Sequence, residues 1–301
     1  MGKLITIGSR GSDLALWQAN HVKSQLEGLG HEVVINIITT QGDAIQDLSF
    51  DKLEGKGFFT KEIEDQLLDG KIDLAVHSHK DLETNPPAGL IIAAVSERED
   101  PSELVLIRKE CVDSEENFGI KKNAIVGTSS ARRKSQLLAY REDIQIKDIR
   151  GNVPTRIDKL RNGDFDAIML AAAGVRRLKL DVSDLEVRVL DPTQFVPSPA
   201  QGVLGLQIRE DDTGMAEILS HINNEQVAKE IAVERGILNK LEGGCQLPLG
   251  AYCTFENEQY NVWVSFAKAW NELPIQATYE SEDTEHLAVV IVEDLLQEID
   301  G

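Results

Sequence analysis

The 301-residue sequence predicts an α/β protein with two sheet-and-helix lobes, followed by a smaller α+β domain. Two successive stretches alternate short apolar runs, typical of buried strands, with segments of helical period. After residue 224 the pattern changes to a long helical run and then to strand segments with alternating polarity. A chain of this length exceeds the size at which one hydrophobic core usually stops growing, so we expect more than one core.

Each predicted element follows from the local pattern. In the first lobe we predict strands at 4–7, 33–38 and 74–76 and helices at 14–26 and 61–68. In the second lobe we predict strands at 124–126, 144–149 and 167–171 and helices at 132–140 and 155–161. In the last domain we predict helices at 225–241 and 284–299 and strands at 262–266 and 276–279. Turn-rich segments at 96–101 and 196–202 bracket the second lobe, which predicts interlobe crossings and a cleft.

The distribution of charge along the chain indicates which kinds of ligand the protein can bind. The net charge of −20 argues against generic binding of nucleic acid or anionic membranes, which requires a basic surface. Residues 121–179 depart from this average, with 14 Lys and Arg against 6 Asp and Glu, a local balance of +8. We therefore expect an anionic ligand at this part of the chain.

Targeting signals and cysteine usage indicate the compartment. The N-terminal residues lack the apolar segment of a signal peptide, and no stretch approaches the roughly 20 apolar residues of a membrane span. Cys111, Cys245 and Cys253 are an odd number without C-x-x-C spacing, which argues against a disulfide framework or a zinc site. These features predict a cytoplasmic protein without a metal centre.

Three strand-to-helix turns combine small or hydroxyl residues with arginine. They are 8–12 with Arg10, 127–133 with Arg132 and Arg133, and 150–156 with Arg150 and Arg156. Backbone N–H groups at a helix start can hold an anion, and guanidinium groups suit carboxylates in paired hydrogen bonds. The first turn matches neither dinucleotide nor Walker patterns and, taken alone, indicates only a helix cap. The repetition favours a ligand with several carboxylates.

The reactive candidates lie in two other segments. Asp81 follows a buried-strand pattern, at the kind of strand end where α/β clefts form, and is an acid–base candidate with a helix cap as the alternative. His77 and His79 are two apart on this strand and would ligate a metal only if further ligands converged. Cys245 lies between glycines and a proline, in a loop that makes a thiol accessible for covalent chemistry.

Four segments together carry a resemblance to a known family. They are 76–81 (VHSHKD), 127–130 (GTSS), 150–153 (RGNV) and 242–246 (EGGCQ), supported by 55–59 (GKGFF) and 199–202 (PAQG). In order and spacing the chain resembles porphobilinogen deaminase, also called hydroxymethylbilane synthase, over essentially its whole length.

The resemblance implies a transferase of tetrapyrrole and haem biosynthesis. It would condense four porphobilinogen molecules, with loss of ammonia, into the linear tetrapyrrole hydroxymethylbilane. It also implies a dipyrromethane cofactor held through a thioether to Cys245. Asp81 would then protonate the departing amine and stabilise the cationic azafulvene and the pyrrole nitrogens. The acetate and propionate groups of each pyrrole would explain the arginines.

The same resemblance assigns further residues. Carboxylate binding falls on a set of cationic and hydroxyl side chains: Arg10, Ser12, Ser78, Lys80, Thr128, Ser130, Arg132, Arg133, Arg150, Arg156 and Arg177. Gln18 and Gln201 match other cleft positions, and Lys56 and Phe59 match a segment that covers the active site. The family implies a monomer that passes its product to a uroporphyrinogen-III synthase.

The family's fold implies two lobes similar to periplasmic ligand-binding proteins, joined by hinge strands, with a small C-terminal domain. On this chain we expect domain 1 at 1–98 and 200–220, domain 2 at 99–199, and domain 3 at 221–301. The sequence departs from the family at His79, Ala131 and Pro154, and His79 could alter the pH dependence.

Two other functions remain open at this point. A non-catalytic two-lobed binding protein would keep the arginines but would need neither Asp81 nor Cys245. An enzyme with Cys245 as nucleophile and His77 as base would be inactivated by thiol reagents even with its cofactor present.

Overall fold

The computed structural model describes residues 2–44, 60–241 and 247–300. The strands are β1 Leu4–Ser9, β2 Glu32–Ile37, β3 Leu74–Ser78, β4 Leu90–Val95, β5 Glu103–Arg108, β6 Ile125–Gly127, β7 Gln145–Lys147, β8 Ala167–Ala171, β9 Leu185–Leu190, β10 Leu204–Arg209, β11 Leu249–Glu256, β12 Gln259–Phe266 and β13 Ile275–Ser281. The α-helices are α1 Asp13–Gly28, α2 Gln41–Ala44, α3 Lys61–Leu68, α4 Ala131–Tyr140, α5 Val153–Arg161, α6 Ala172–Arg177, α7 Thr213–Ser220, α8 Glu225–Lys240 and α9 Leu287–Asp300.

The first sheet has the strand order β2-β1-β3-β10-β4. β1 runs parallel to β2 and β3, whereas β10 runs antiparallel to β3 and β4. Helices cover both faces: α1 and α7 bury Leu26 and Leu219 on one side, and α3 buries Ile63 and Leu67 on the other. Cover on both faces explains why the central strands β1 and β3 are mainly apolar, whereas the edge strand β2 is largely not buried.

The second sheet repeats this design with the order β7-β6-β8-β5-β9. β6 is parallel to β7 and β8, and β5 is antiparallel to β8 and β9. Leu137 of α4 packs on one face, while Ile157 and Leu160 of α5 pack on the other. Two α/β lobes are therefore present, as the alternation of strand and helix patterns predicts.

The C-terminal domain is a three-stranded antiparallel sheet in the order β11-β12-β13. Val233 and Ile237 of α8 and Ile291 and Leu295 of α9 pack against it. The sheet and the two helices thus form two packed layers. The predicted α/β class, with two sheet-containing lobes and a small C-terminal domain, is confirmed.

The chain forms two compact units, residues 1–99 with 202–228 and residues 100–201 with 229–301. The second unit contains both the second sheet and the C-terminal sheet. The proposed three-domain boundaries at 98/99, 199/200 and 220/221 stay a prediction. Within the described residues, none of the helices is long and apolar enough to cross a membrane.

Candidate active site

In the first unit, the carboxyl ends of β1 and β3 lie side by side. The two strands are parallel, and Gly8 is in register with Ala75, so Arg10 and Lys80 leave the sheet at the same edge. Gln18 is buried in α1, and its Nε2 donates to Ser78 Oγ at 2.7 Å. This bond ties the helix to the end of β3, which brings several predicted site residues together.

Asp81 ends a short 3-10 helix, His79–Asp81, that follows β3 directly. The His79 N–H donates to the Val203 carbonyl at 2.9 Å, and the Leu82 N–H donates to the His79 carbonyl at 3.2 Å. His79 and Leu82 are buried, whereas Asp81 is exposed. These bonds and the two buried side chains therefore hold the turn against the sheet, and Asp81 remains exposed to solvent.

The packing under this turn depends on Gly205 of β10. A methyl group there would lie 3.1 Å from Leu82 Cδ1 and 3.2 Å from His79 Cγ, closer than an ordinary contact. Gly205 thus permits the close approach of the Asp81 turn to the sheet.

His77 is buried beneath the same edge and belongs to a polar network. Its Nε2 lies 3.0 Å from Gln207 Oε1, and Gln207 Nε2 donates to Glu64 Oε1 at 3.0 Å. Because the Gln207 amide donates to Glu64, its oxygen accepts from His77, which places the imidazole proton on Nε2. Burial lowers the pKa of His77 to about 4, against the opposing bond from Gln207. His77 is therefore a neutral, buried group whose Nε2–H is held by Gln207.

In the second unit, two arginines predicted to bind carboxylates share one buried acid. Glu103 Oε1 accepts from Arg132 Nη2 at 2.6 Å, and Glu103 Oε2 accepts from Arg133 Nη2 at 2.7 Å. Arg132 Nη1 also donates to the Val196 carbonyl at 3.0 Å, and Arg133 Nη1 to the Met169 carbonyl at 3.0 Å. All three charged side chains are buried, and burial lowers the pKa of Arg132 despite Glu103.

The hydroxyl residues lie at the starts of helices. Ser12 Oγ accepts from the Ala15 N–H and caps α1, and Ser130 Oγ accepts from the Arg133 N–H and caps α4. The helix-cap alternative for 8–12 is therefore present in the structure. Thr128 is buried, and its Oγ1 accepts from the Ser130 N–H at 3.3 Å.

The remaining arginines follow β7 and β8 at the same edge of the second sheet. Arg156 Nε donates to the Gly151 carbonyl at 2.7 Å, near the start of α5. Arg150 is half-buried before this helix, and Arg177 is buried at the end of α6. Arg176 instead pairs with Asp100 at 2.6 Å, which leaves it a structural role.

Gln201 is fully buried where the chain leaves the second unit. Its Nε2 donates to the Pro101 carbonyl at 2.7 Å and to Glu103 Oε1 at 3.2 Å. The adjacent Ala200 N–H donates to Glu234 Oε2 at 2.6 Å, while Glu234 Oε1 accepts from the Cys253 N–H at 2.8 Å. Gln201 therefore braces the acid that holds the two arginines.

Three predicted residues, Lys56, Phe59 and Cys245, lie outside the described residues. The other two cysteines, Cys111 and Cys253, are buried. Among residues 2–44, 60–241 and 247–300, no cluster of three or more His, Cys, Asp or Glu side chains could hold a metal ion.

Glu103 and Glu234 are two buried acids that none of the sequence motifs predicts. Both are fully buried: Glu103 is the first residue of an otherwise mainly apolar strand, and Glu234 lies within the helix Glu225–Lys240. A single acid at the head of the apolar strand Glu103–Arg108, in a lobe rich in arginine, was the available signal. Buried acids are nearly always paired, so such a position predicts a cationic partner.

These observations define an α/β protein with an exposed carboxylate at the edge of one sheet and buried guanidinium groups at the edge of the other. Residues 5–217 match the family model described as "Porphobilinogen deaminase, dipyromethane cofactor binding domain", and residues 228–299 match "Porphobilinogen deaminase, C-terminal domain". The chain belongs to the porphobilinogen deaminase family.

Curated relatives named porphobilinogen deaminase extend over the same length. The chain is 44% identical to that of Maridesulfovibrio salexigens, covering 97% of this chain and 94% of the relative. It is 41% identical to that of Bacillus cereus, covering 98% and 94%, and 46% identical to that of a Nitratiruptor species, covering 82% and 77%. The family assignment confirms the predicted transferase activity in tetrapyrrole biosynthesis and the dipyrromethane cofactor.

Solved structures give a weaker likeness. A putative methionine-binding lipoprotein from Bacillus subtilis has a TM-score of 0.44 at 11% identity, over 75% of this chain and 92% of that chain. The BvgS periplasmic VFT2 domain of Bordetella pertussis has a TM-score of 0.42 at 12% identity, over 77% and 92%. Scores of this size do not assign a fold, which rests here on the sheet topology.

The side chains present suit pyrroles that carry several carboxylates, both those of the dipyrromethane cofactor and that of the porphobilinogen to be joined to it. Arg132 and Arg133 together carry one positive charge more than Glu103 neutralises. Arg133 Nε is buried and has no acceptor among the described residues. A buried guanidinium donor without a partner is costly, and a ligand carboxylate would satisfy it.

Proposed function

We propose that this chain condenses four porphobilinogen molecules head to tail into hydroxymethylbilane, with Asp81 as the acid–base group. The observation that carries this assignment is the exposed Asp81 carboxylate, beside Lys80, on a turn anchored at the edge of the first sheet. A carboxyl group held there can protonate the departing amine and, once ionised, stabilise positive charge on the substrate. When bound, the dipyrromethane cofactor supplies the α-carbon to which each new pyrrole is joined.

The binding of the pyrrole carboxylates falls to the cationic groups at the two sheet edges. We assign this role to Arg10 and Lys80 in the first unit and to Arg132, Arg133, Arg150, Arg156 and Arg177 in the second. The hydroxyls of Ser12, Ser78, Thr128 and Ser130 and the amides of Gln18 and Gln201 support them. Guanidinium groups fit carboxylates in paired hydrogen bonds, which makes this set suitable for acetate and propionate side chains.

Attachment of the cofactor is assigned to Cys245. Burial, together with the hydrogen bond to Asp166, raises the pKa of Cys111, which keeps that thiol protonated and unreactive. Cys253 lies in the core between α8 and the C-terminal sheet. Neither thiol can carry a ligand of two pyrroles without disrupting its packing, which leaves Cys245.

Intact mass tests the attachment. Protein produced with porphobilinogen available should carry the mass of two linked pyrroles, and Cys245→Ser should lack it. Cys111→Ser is the matched control, because a hydroxyl can replace the thiol beside Asp166 and Lys121, and it should keep the added mass. An unmodified wild-type protein would contradict the cofactor assignment and favour a binding protein.

Asp81→Asn tests the acid–base role. We expect kcat to fall by about 100-fold or more, the size of effect typical of general acid–base catalysis. Asp65→Asn, which changes an exposed carboxylate on α3, is the control and should leave kcat unchanged. Similar kcat values for the two variants would exclude Asp81 as the proton donor.

We further propose a cytoplasmic monomer that releases hydroxymethylbilane to a uroporphyrinogen-III synthase. The net charge of −20 supports the absence of nucleic-acid or anionic-membrane binding. Sedimentation of the holoenzyme should give one species of monomer mass, and a concentration-dependent dimer would contradict this state.

A further inference from the structure

Glu103 stands out as a buried charge that none of the assigned roles uses. It is fully buried at the first position of β5, between Ala171 of β8 and Leu190 of β9. Its two oxygens each accept a short bond, one from Arg132 and one from Arg133. Burial of a carboxylate is costly and is compensated only by strong pairing, so this geometry is tightly specified.

The arrangement fixes the direction of both guanidinium groups. Each one is held at two points: Arg132 by Glu103 and the Val196 carbonyl, and Arg133 by Glu103 and the Met169 carbonyl. A guanidinium is planar, and two bonded nitrogens define that plane, so the other N–H groups point in set directions. Glu103 thus determines where these arginines can accept a ligand.

The charge balance indicates that the trio is incomplete without a ligand. Two guanidiniums and one carboxylate leave one buried positive charge, and Arg133 Nε has no acceptor among the described residues. One ligand carboxylate would neutralise that charge and satisfy that donor. If the cluster had only a structural role, a second acidic residue that neutralised the remaining positive charge would stabilise the fold more than the unbalanced charge does.

The neighbouring residues support the same conclusion. Gln201 Nε2 donates to Glu103 Oε1 at 3.2 Å and to the Pro101 carbonyl at 2.7 Å. These two bonds help to fix the position of the Glu103 carboxylate. Glu103 starts β5 at the edge where β6 and β8 end, because β5 runs antiparallel to β8. Thr128 follows β6 at this edge, so the trio lies among the residues assigned to carboxylate binding.

We propose that Glu103 is a positioning residue for the condensation reaction. It orients Arg132 and Arg133 and lowers their combined charge to one, which matches the pair to a single pyrrole carboxylate. The proposal rests on the proposed function of this chain. It assigns Glu103 to substrate affinity rather than to chemistry, because the interaction acts alike before and during the reaction.

The test is Glu103→Gln, measured on the holoenzyme as KM and kcat for porphobilinogen. The glutamine keeps one acceptor but presents an amide N–H₂ to the second guanidinium, which displaces that arginine. We expect KM to rise about tenfold with kcat within about twofold of wild type, the pattern of lost uniform binding. A merely structural role would lower the amount of active enzyme and so kcat, but would leave KM unchanged.

Asp166→Asn is the matched control. Asp166 is an acid in the same unit that also binds two cations, Arg108 and Lys121, but it precedes β8 at the opposite end of the strand. We expect this variant to lose stability without a change in KM. If Glu103→Gln does not fold, Glu103→Asp replaces it, because the shorter acid reaches only one guanidinium and should raise KM about threefold.

The possible results separate the two hypotheses. An unchanged KM in whichever Glu103 variant folds, with active wild-type enzyme, would overturn the role of Glu103 alone. A wild-type protein that carries no dipyrromethane and consumes no porphobilinogen would overturn the proposed function itself. A KM that rises equally in Asp166→Asn would show a general effect of instability and would also refute the positioning role.

Discussion

The buried His77 predicts a specific pH dependence of folding stability. Its imidazole is enclosed below the Asp81 turn, and its Nε2–H donates to Gln207, whose amide donates in turn to Glu64. Burial lowers the pKa of His77 to about 4 from its ordinary value of 6.5, and the nearby positive charge of Arg10 adds to this effect. The folded protein therefore keeps His77 neutral at pH values where the unfolded chain protonates it.

The sign and size of the effect follow from these two pKa values. Between pH 6.5 and about 4 the unfolded state binds more protons than the folded state, so the free energy of unfolding falls as the pH falls. The contribution is complete above pH 6.5 and is lost progressively down to about pH 4. The whole gap corresponds to about 3 kcal/mol, of which about 2 kcal/mol is lost between pH 7.5 and pH 5.

His77→Gln removes this titration, because a glutamine amide can donate to Gln207 but does not ionise. Urea unfolding of both proteins at pH 7.5, 6 and 5 gives the difference in stability at each pH, so that other titrating groups cancel. We expect the wild type to lose about 2 kcal/mol more than the variant over this range. Parallel pH profiles would refute the reasoning, as would an NMR titration in which His77 protonates near pH 6.5.

Two further substitutions test the packing below the site and a peripheral ion pair. Gly205→Ala places a methyl group 3.1 Å from Leu82 and should shift the Asp81 turn, lowering kcat about tenfold, whereas Gly214→Ala, with its nearest contact at 3.8 Å, should not. Equal kcat values in these two variants would contradict the role of the Gly205 contact. Asp143→Asn should cost about 1 kcal/mol at pH 7, after allowance for solvent, because its hydrogen bonds with Arg141 hold the pKa of Asp143 well below its usual range. Since that contribution disappears as Asp143 is protonated, the variant and wild type should converge toward acidic pH in urea unfolding; a difference that persists there would point to packing instead.

The sequence was sufficient for the class of fold because the strand and helix patterns were strong and local. Apolar runs such as Leu4–Ser9 and Ala167–Ala171 are mostly buried in sheets covered by helices on both faces, so they are recognisable as strands without tertiary information. The strand β10, Leu204–Arg209, was not predicted, and its place between β3 and β4 could not have been. Pairing across such a distance in sequence depends on the tertiary fold, which no local pattern encodes.

The site was predictable to the extent that its chemistry lies in residue types at strand ends. Asp81, Lys80 and the arginines follow strands directly, and parallel strands bring their carboxyl ends to one edge. The sequence could not show which arginines are already paired with acidic residues of the protein. Arg176 is paired with Asp100, while Arg132 and Arg133 share Glu103 and retain a positive charge, a difference that depends on acids distant in sequence. The affinity of the site for a carboxylate therefore depends as much on these buried acids as on the arginines that the motifs reveal.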